Sequence, residues 1–143
     1  MKTYKILVAE DDAALLKSMR IRLSSEGYEV LCANDGYQAV AMAREQRPDM
    51  LILDINMPAG DGFSVQDRVW KMVHMRRVPI VYITGDRSQE MLDRAHILGA
   101  RSLLRKPFDS SELLQTVRDA LEPGDRDRDS VAAAGEAFAV YNL

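Results

Sequence analysis

The chain has 143 residues, 47 % of them hydrophobic, which is enough to build the core of one domain-sized unit. A formal net charge of −3 argues against a nucleic-acid grip, which needs clustered positive charge. The single cysteine, Cys32, excludes an internal disulfide and fits a reducing compartment. No run approaches the ~20 apolar residues of a membrane-spanning helix, and the apolar run in MKTYKILVAE is too short for a signal peptide. These readings predict a soluble, cytoplasmic protein.

Apolar and amphipathic runs alternate five times along the chain. Lys5–Ala9 reads as a first strand, followed by a helix over Ala13–Glu26 with Leu15, Leu16, Met19 and Leu23 on one face and Gly27 as its stop. Glu29–Ala33 is the second strand, with Cys32 expected as a small core residue, and Gln38–Gln46 is the next helix, closed by Pro48. Met50–Leu53 is the third strand, and Gly62–Arg76 a helix carrying Phe63, Val65, Val69 and Val73. Ile80–Ile83 is the fourth strand. The helix Ser88–Leu98 opens on Ser88 and stops at Gly99. Ser102–Leu104 is the fifth strand. The last helix, Asp109–Leu121, opens on a capping-box pattern in which Asp109 precedes Glu112 by three.

The runs KILVA, MLILD and PIVYIT show little alternation, as expected of strands covered on both faces. Five strands alternating with helices predict an α/β fold, a doubly wound five-stranded parallel sheet in the order 2-1-3-4-5. Residues 1–122 form this domain. From Pro123 the chain turns charged and turn-rich, so 123–143 reads as a charged linker and a flexible or weakly helical C-terminal tail.

In such a sheet, ligands sit outside the carboxyl ends of the strands, where the strand order reverses. The first strand runs into Glu10, Asp11 and Asp12; the third ends at Asp54; the fourth ends at Thr84, Gly85 and Asp86; the fifth leads to Arg105, Lys106 and Pro107. If those ends converge, several carboxylates share a small space and repel one another unless a cation relieves them. Oxygen donors without His or Cys suit Mg²⁺. Taken alone, the acidic trio is an ordinary helix start, and Asp12 is expected to serve there. Asp54, at the exposed rim, is placed to attack phosphorus and form an acyl phosphate. Lys106 would pair with phosphoryl oxygens and Thr84 would donate its hydroxyl to another.

The spacing of ILVAEDD, LILDINMPAGDG, VYITG and LLRKPF resembles the receiver domains of two-component response regulators, over about the first ~120 residues. That resemblance implies a flavodoxin-like (βα)5 fold with Asp54 as the phosphoacceptor. It implies a Mg²⁺ site of Glu10, Asp11, Asp54 and the backbone carbonyl of Asn56. It makes Thr84 the switch hydroxyl, Lys106 a phosphoryl contact and Lys106–Pro107 a cis peptide. The implied donor is a histidine kinase or histidine phosphotransfer protein. The implied output is a downstream protein bound through the face of the fourth helix, fifth strand and fifth helix, where Met91, Leu92 and Ile97 partly face outward. One position departs from the family: three residues before the lysine stands Leu103, where many members carry Tyr or Phe. A modified switch is therefore expected, acting through the loop after the fourth strand and the helix behind it. Asn56 and Asp86 flank the path of attacking water in the family, so the acyl phosphate is not expected to be unusually long-lived.

Two other classes compete with this reading. An aspartyl-phosphate phosphohydrolase would carry a second Asp two residues past the nucleophile, where this chain has Asn56, and a cap domain that this length does not hold. A pure interaction module would not need Asp54, Thr84 and Lys106 together. His74 and His96 read as surface or boundary residues without metal partners, and Trp70 as half-buried. The oligomeric state has no sequence signal.

Overall fold

The computed structural model describes residues 2–122 and 138–142. Its strands are β1 (Lys5–Ala9), β2 (Glu29–Ala33), β3 (Met50–Asp54), β4 (Ile80–Thr84), β5 (Ser102–Arg105) and β6 (Ala139–Tyr141). The helices are α1 (Ala13–Ser25), α2 (Gly36–Gln46), α3 (Gly62–Trp70), α4 (Gln89–Ile97) and α5 (Ser110–Leu121). The strand order is β2-β1-β3-β4-β5-β6, so the expected 2-1-3-4-5 order is present. A sixth strand extends it. Two compact units divide the chain, Met1–Val78 and Pro79–Leu143.

In the first unit, β1 pairs in parallel with both β2 and β3. All five residues of β3 are buried, and Ile6, Leu7, Val8 and Ala9 of β1 have no exposed surface. That accounts for the missing alternation in both strands: each face is covered, and each buried Val, Leu or Ile contributes about 1.5–3 kcal/mol. β2 is more exposed, and Cys32 on it is only half-buried, not a core residue. Partial burial raises its thiol pKa, against a smaller opposing effect of Arg20. Helix α3 ends at Trp70, well short of Arg76. The Trp70 indole donates to the Val78 carbonyl at 3.0 Å, and a 3₁₀ turn over Val73–Met75 takes up the intervening chain. Val73 is consequently 80 % exposed rather than on a buried helix face.

In the second unit, β4 is buried throughout and pairs in parallel with β5. Asp109 caps α5 by accepting from the Glu112 N–H at 2.8 Å, and the Glu112 carboxylate accepts from the Asp109 N–H at 3.0 Å, the reciprocal box its sequence implies. The weakly helical reading of the tail is corrected where residues are described. Ala139–Tyr141 form an extended strand parallel to β5, because β5 would otherwise present an unpaired edge. The charged linker expected from Pro123 onward lies, through residue 137, outside the described residues. Among the described residues, no helix is long and apolar enough to cross a membrane.

Candidate functional site

Parallel register sets the acidic groups of the first unit side by side. Ala9 of β1 is opposite Leu53 of β3, so Glu10 and Asp54 leave adjacent strands at the same level. One carboxylate oxygen from each of Glu10, Asp11 and Asp54 lies within 4.8 Å of the other two. Glu10 is fully buried and Asp54 is 4 % exposed, so the acceptor carboxylate lies beneath the rim rather than on it. The chain folds back over both: Asn56 N–H donates to Asp54 Oδ1 at 3.2 Å, and Asp12 N–H donates to Glu10 Oε2 at 3.1 Å. Asp12 itself caps α1, accepting from the amides of Ala14 and Leu15, as expected.

The donor set fits a hard divalent cation. It contains only carboxylate oxygens, and like-charged groups this close favour a cation among them.

Sequence reasoning missed Gly36. Its N–H donates to the Pro58 carbonyl at 3.1 Å. A Cβ built there would stand 2.1 Å from the Gly60 carbonyl oxygen and 2.7 Å from that of Ala59. The start of α2 thus presses directly on the loop after Asp54, where Ala59 and Gly60 take positive φ values of 54° and 110°. Only a residue without a side chain permits that approach. The signal was available only as Asp35-Gly36 before a helix, which reads as a simple turn and cap.

The second unit holds the other two predicted side chains. Thr84 ends β4 in register with Arg105, and the Lys106 N–H donates to the Thr84 carbonyl at 2.8 Å. Thr84 is fully buried. Its hydroxyl oxygen accepts from the Asp86 N–H at 2.9 Å, leaving the hydroxyl proton to be given elsewhere. The Asp86 carboxylate accepts from the Ser88 N–H at 2.7 Å, and its hydrogen bonds to Ser88 hold its pKa below the usual carboxylate value. Lys106–Pro107 is cis. Leu103 is 1 % exposed and stands in register between Tyr82 of β4 and Val140 of β6. On α4, Met91 and Leu92 are half-buried and Ile97 is 82 % exposed. His74 and His96 are exposed and Trp70 is half-buried.

The model of the response regulator receiver domain family matches residues 6–118. The transcriptional regulatory protein PdtaR of Mycobacterium tuberculosis is 35 % identical over 133 residues, which is 92 % of this chain but 62 % of that protein. The chain therefore spans less than two thirds of that relative. Among solved structures, the chemotaxis protein CheY4 of Vibrio cholerae is 32 % identical, with a TM-score of 0.80 covering 84 % of this chain and all of that one. The receiver domain of the sensor histidine kinase PA1611 from Pseudomonas aeruginosa PAO1 carries a magnesium ion coordinated in its active-site cleft. It is 31 % identical, with a TM-score of 0.76 over 84 % of this chain and 98 % of that one. Fold, ordered motifs and family match agree: the chain belongs to the response regulator receiver domains of two-component systems.

Proposed function

We propose that this chain is a phospho-accepting switch in which Asp54 receives a phosphoryl group from the phosphohistidine of a histidine kinase or histidine phosphotransfer protein. The observation that carries this reading is the clustering of Glu10, Asp11 and Asp54, with Asp54 on a strand end and its backbone neighbour Asn56 folded over it. An Asp54 carboxylate oxygen forms the new O–P bond, the P–N bond breaks, and the imidazole leaves with the electron pair and takes a proton. Glu10, Asp11, Asp54 and the Asn56 carbonyl are the proposed Mg²⁺ ligands. Bound there, the ion offsets the charge that accumulates on the phosphoryl oxygens. Thr84 donates its hydroxyl and Lys106 its ammonium to those oxygens, which draws the β4–α4 and β5–α5 loops toward the acceptor. Phosphorylation then shifts a pre-existing equilibrium toward a form with a different α4–β5–α5 face, which contacts a downstream protein rather than nucleic acid. With Leu103 in place of an aromatic residue, the shift runs through the β4–α4 loop and α4. Asn56 and Asp86 orient the water that ends the signal.

Incubation with acetyl phosphate, with and without Mg²⁺, tests the reading by intact mass. One phosphoryl group at Asp54, dependent on Mg²⁺, is the expected result. Many turnovers per chain would make it a phosphohydrolase, and no uptake would make it an inert module.

A further inference from the structure

The edge of β5 is already occupied. Residues 138–142 lie along it and touch every element of the proposed output face. Ser102, Leu103 and Leu104 pair with Ala139, Val140 and Tyr141, and the Ala139 N–H donates to the Arg101 carbonyl at 3.3 Å. From α4, the imidazole of His96 stacks on the Phe138 ring with centroids 4.7 Å and planes 11° apart. Toward α5, the Tyr141 hydroxyl donates to the Asp119 carboxylate. At the far end, the Asn142 side-chain amide donates to the Arg105 carbonyl at 2.9 Å and to the Pro107 carbonyl as well. Asn142 has φ of 61°, the left-handed region that Asn tolerates better than most residues. These two carbonyls belong to the residues on either side of Lys106.

We infer that residues 138–142 are a built-in strand cover on the output face, tied through Asn142 to the Lys106 loop and released when Lys106 moves. The face is thereby assigned a partner chemistry: an extended segment that adds in parallel to β5 in the place of the chain's own strand. The strand has three residues and only a few side-chain ties, so the cover is weak enough to exchange. An unprotected β5 would offer unpaired N–H and C=O groups to any extended chain, which gives the cover a second purpose in keeping that edge closed at rest. The release step rests on the proposed contact between Lys106 and the phosphoryl group; the cover itself does not.

Hydrogen exchange on the full chain tests both parts, with intact mass recording phosphoryl uptake in the same samples. Ala139→Pro removes the N–H that Arg101 accepts, and should speed exchange in residues 102–105 by about tenfold or more while leaving uptake unchanged. Acetyl phosphate with Mg²⁺ should produce a comparable gain in the wild type. Asn142→Ala should start high and gain little on phosphorylation. Equal protection of residues 102–105 in wild type and Ala139→Pro would overturn the cover. Full uptake with unchanged exchange in the wild type would overturn the release. Absence of uptake would remove the phosphoacceptor reading and the release with it, while the Ala139→Pro comparison would still decide the cover.

Discussion

The two units carry different halves of the proposed chemistry, and they are built differently. In the first, the carboxylates of Glu10, Asp11 and Asp54 are brought together by strand register, and backbone amides hold two of them in place. There β1 and β3 are buried, and Gly36 packs against the loop beyond Asp54, although residues 58–61 of that loop are exposed. In the second unit, the Lys106 N–H donates to the Thr84 carbonyl. Residues 85–90 are exposed, and the β5–α5 turn is held by Asn142, which follows the three-residue strand β6. In the proposed switch the two tasks are separate: the acceptor must be ready before phosphate arrives, and the reporter must differ after it.

The sharpest way to break this contrast is to disable each half separately. Asp54→Asn should abolish phosphoryl incorporation, a complete loss by intact mass. Thr84→Val, which keeps the shape of the side chain but not its hydroxyl, should still take up one phosphoryl group while the exchange of β5 no longer responds. If Thr84→Val blocked uptake as fully as Asp54→Asn, the division into acceptor and reporter would fail.

A second contrast concerns the metal. Glu10→Gln or Asp11→Asn should weaken Mg²⁺ binding by about tenfold or more in titration calorimetry, since each removes a charged oxygen donor. Lys106→Ala removes a cation and should leave Mg²⁺ affinity unchanged or slightly raised. A loss with Lys106→Ala comparable to that with Glu10→Gln would mean the ion is held elsewhere.

Gly36→Ala probes the rigidity of the first unit. The added methyl meets backbone carbonyls, which cannot rotate away as a side chain can, so a stability loss of about 1–3 kcal/mol in urea unfolding is expected. Slower phosphoryl uptake should accompany it, because the displaced loop carries Asn56. Thr84→Val, which loses the hydrogen bond from the Asp86 N–H, should cost less, about 1 kcal/mol.

What the sequence disclosed follows the same line. Strand order, the caps Asp12, Ser88 and Asp109, and the acidic cluster were legible because they rest on local signals: apolar runs, side-chain acceptors three residues before a donor, and acids at strand ends. Gly36 was not legible, because its partner loop lies over twenty residues away and a glycine before a helix has an ordinary explanation. Nor was β6. Val140 and Tyr141 favour a strand, but a run of three residues is too short to be read as one, and its partner β5 lies far away in the sequence. A strand end suggests an exposed rim for Asp54, yet Asp54 is buried, with the Asn56 amide folded back onto its carboxylate.

The smallest expected effect separates the units by acid titration. Asp49, in the first unit, accepts from the Lys5 N–H at 2.7 Å and pairs with the Lys2 ammonium at 2.8 Å. Burial pushes its pKa up, but those contacts outweigh it, and the carboxyl sits below its usual range. Asp109, in the second, is lowered by the Glu112 N–H and the Ser111 hydroxyl. Both folded values are depressed, so both contributions are complete above the unfolded value of about 4 and are lost as pH falls through the folded ones. The two should respond differently to salt. The Lys2 side chain is 63 % exposed, so its pair with Asp49 is screened, whereas the Asp109 cap is a set of short hydrogen bonds at a helix end. Asparagine caps a helix about as well as aspartate but does not titrate. Asp109→Asn should therefore keep the urea midpoint at neutral pH and flatten its decline as pH falls below the usual carboxylate range, at any salt concentration. Asp49→Asn should lower the midpoint at neutral pH in dilute buffer, and the difference from wild type should shrink as salt is added. An acid decline unaltered by Asp109→Asn would show that this carboxylate contributes nothing through its ionisation, and that the cap holds α5 by hydrogen bonding alone.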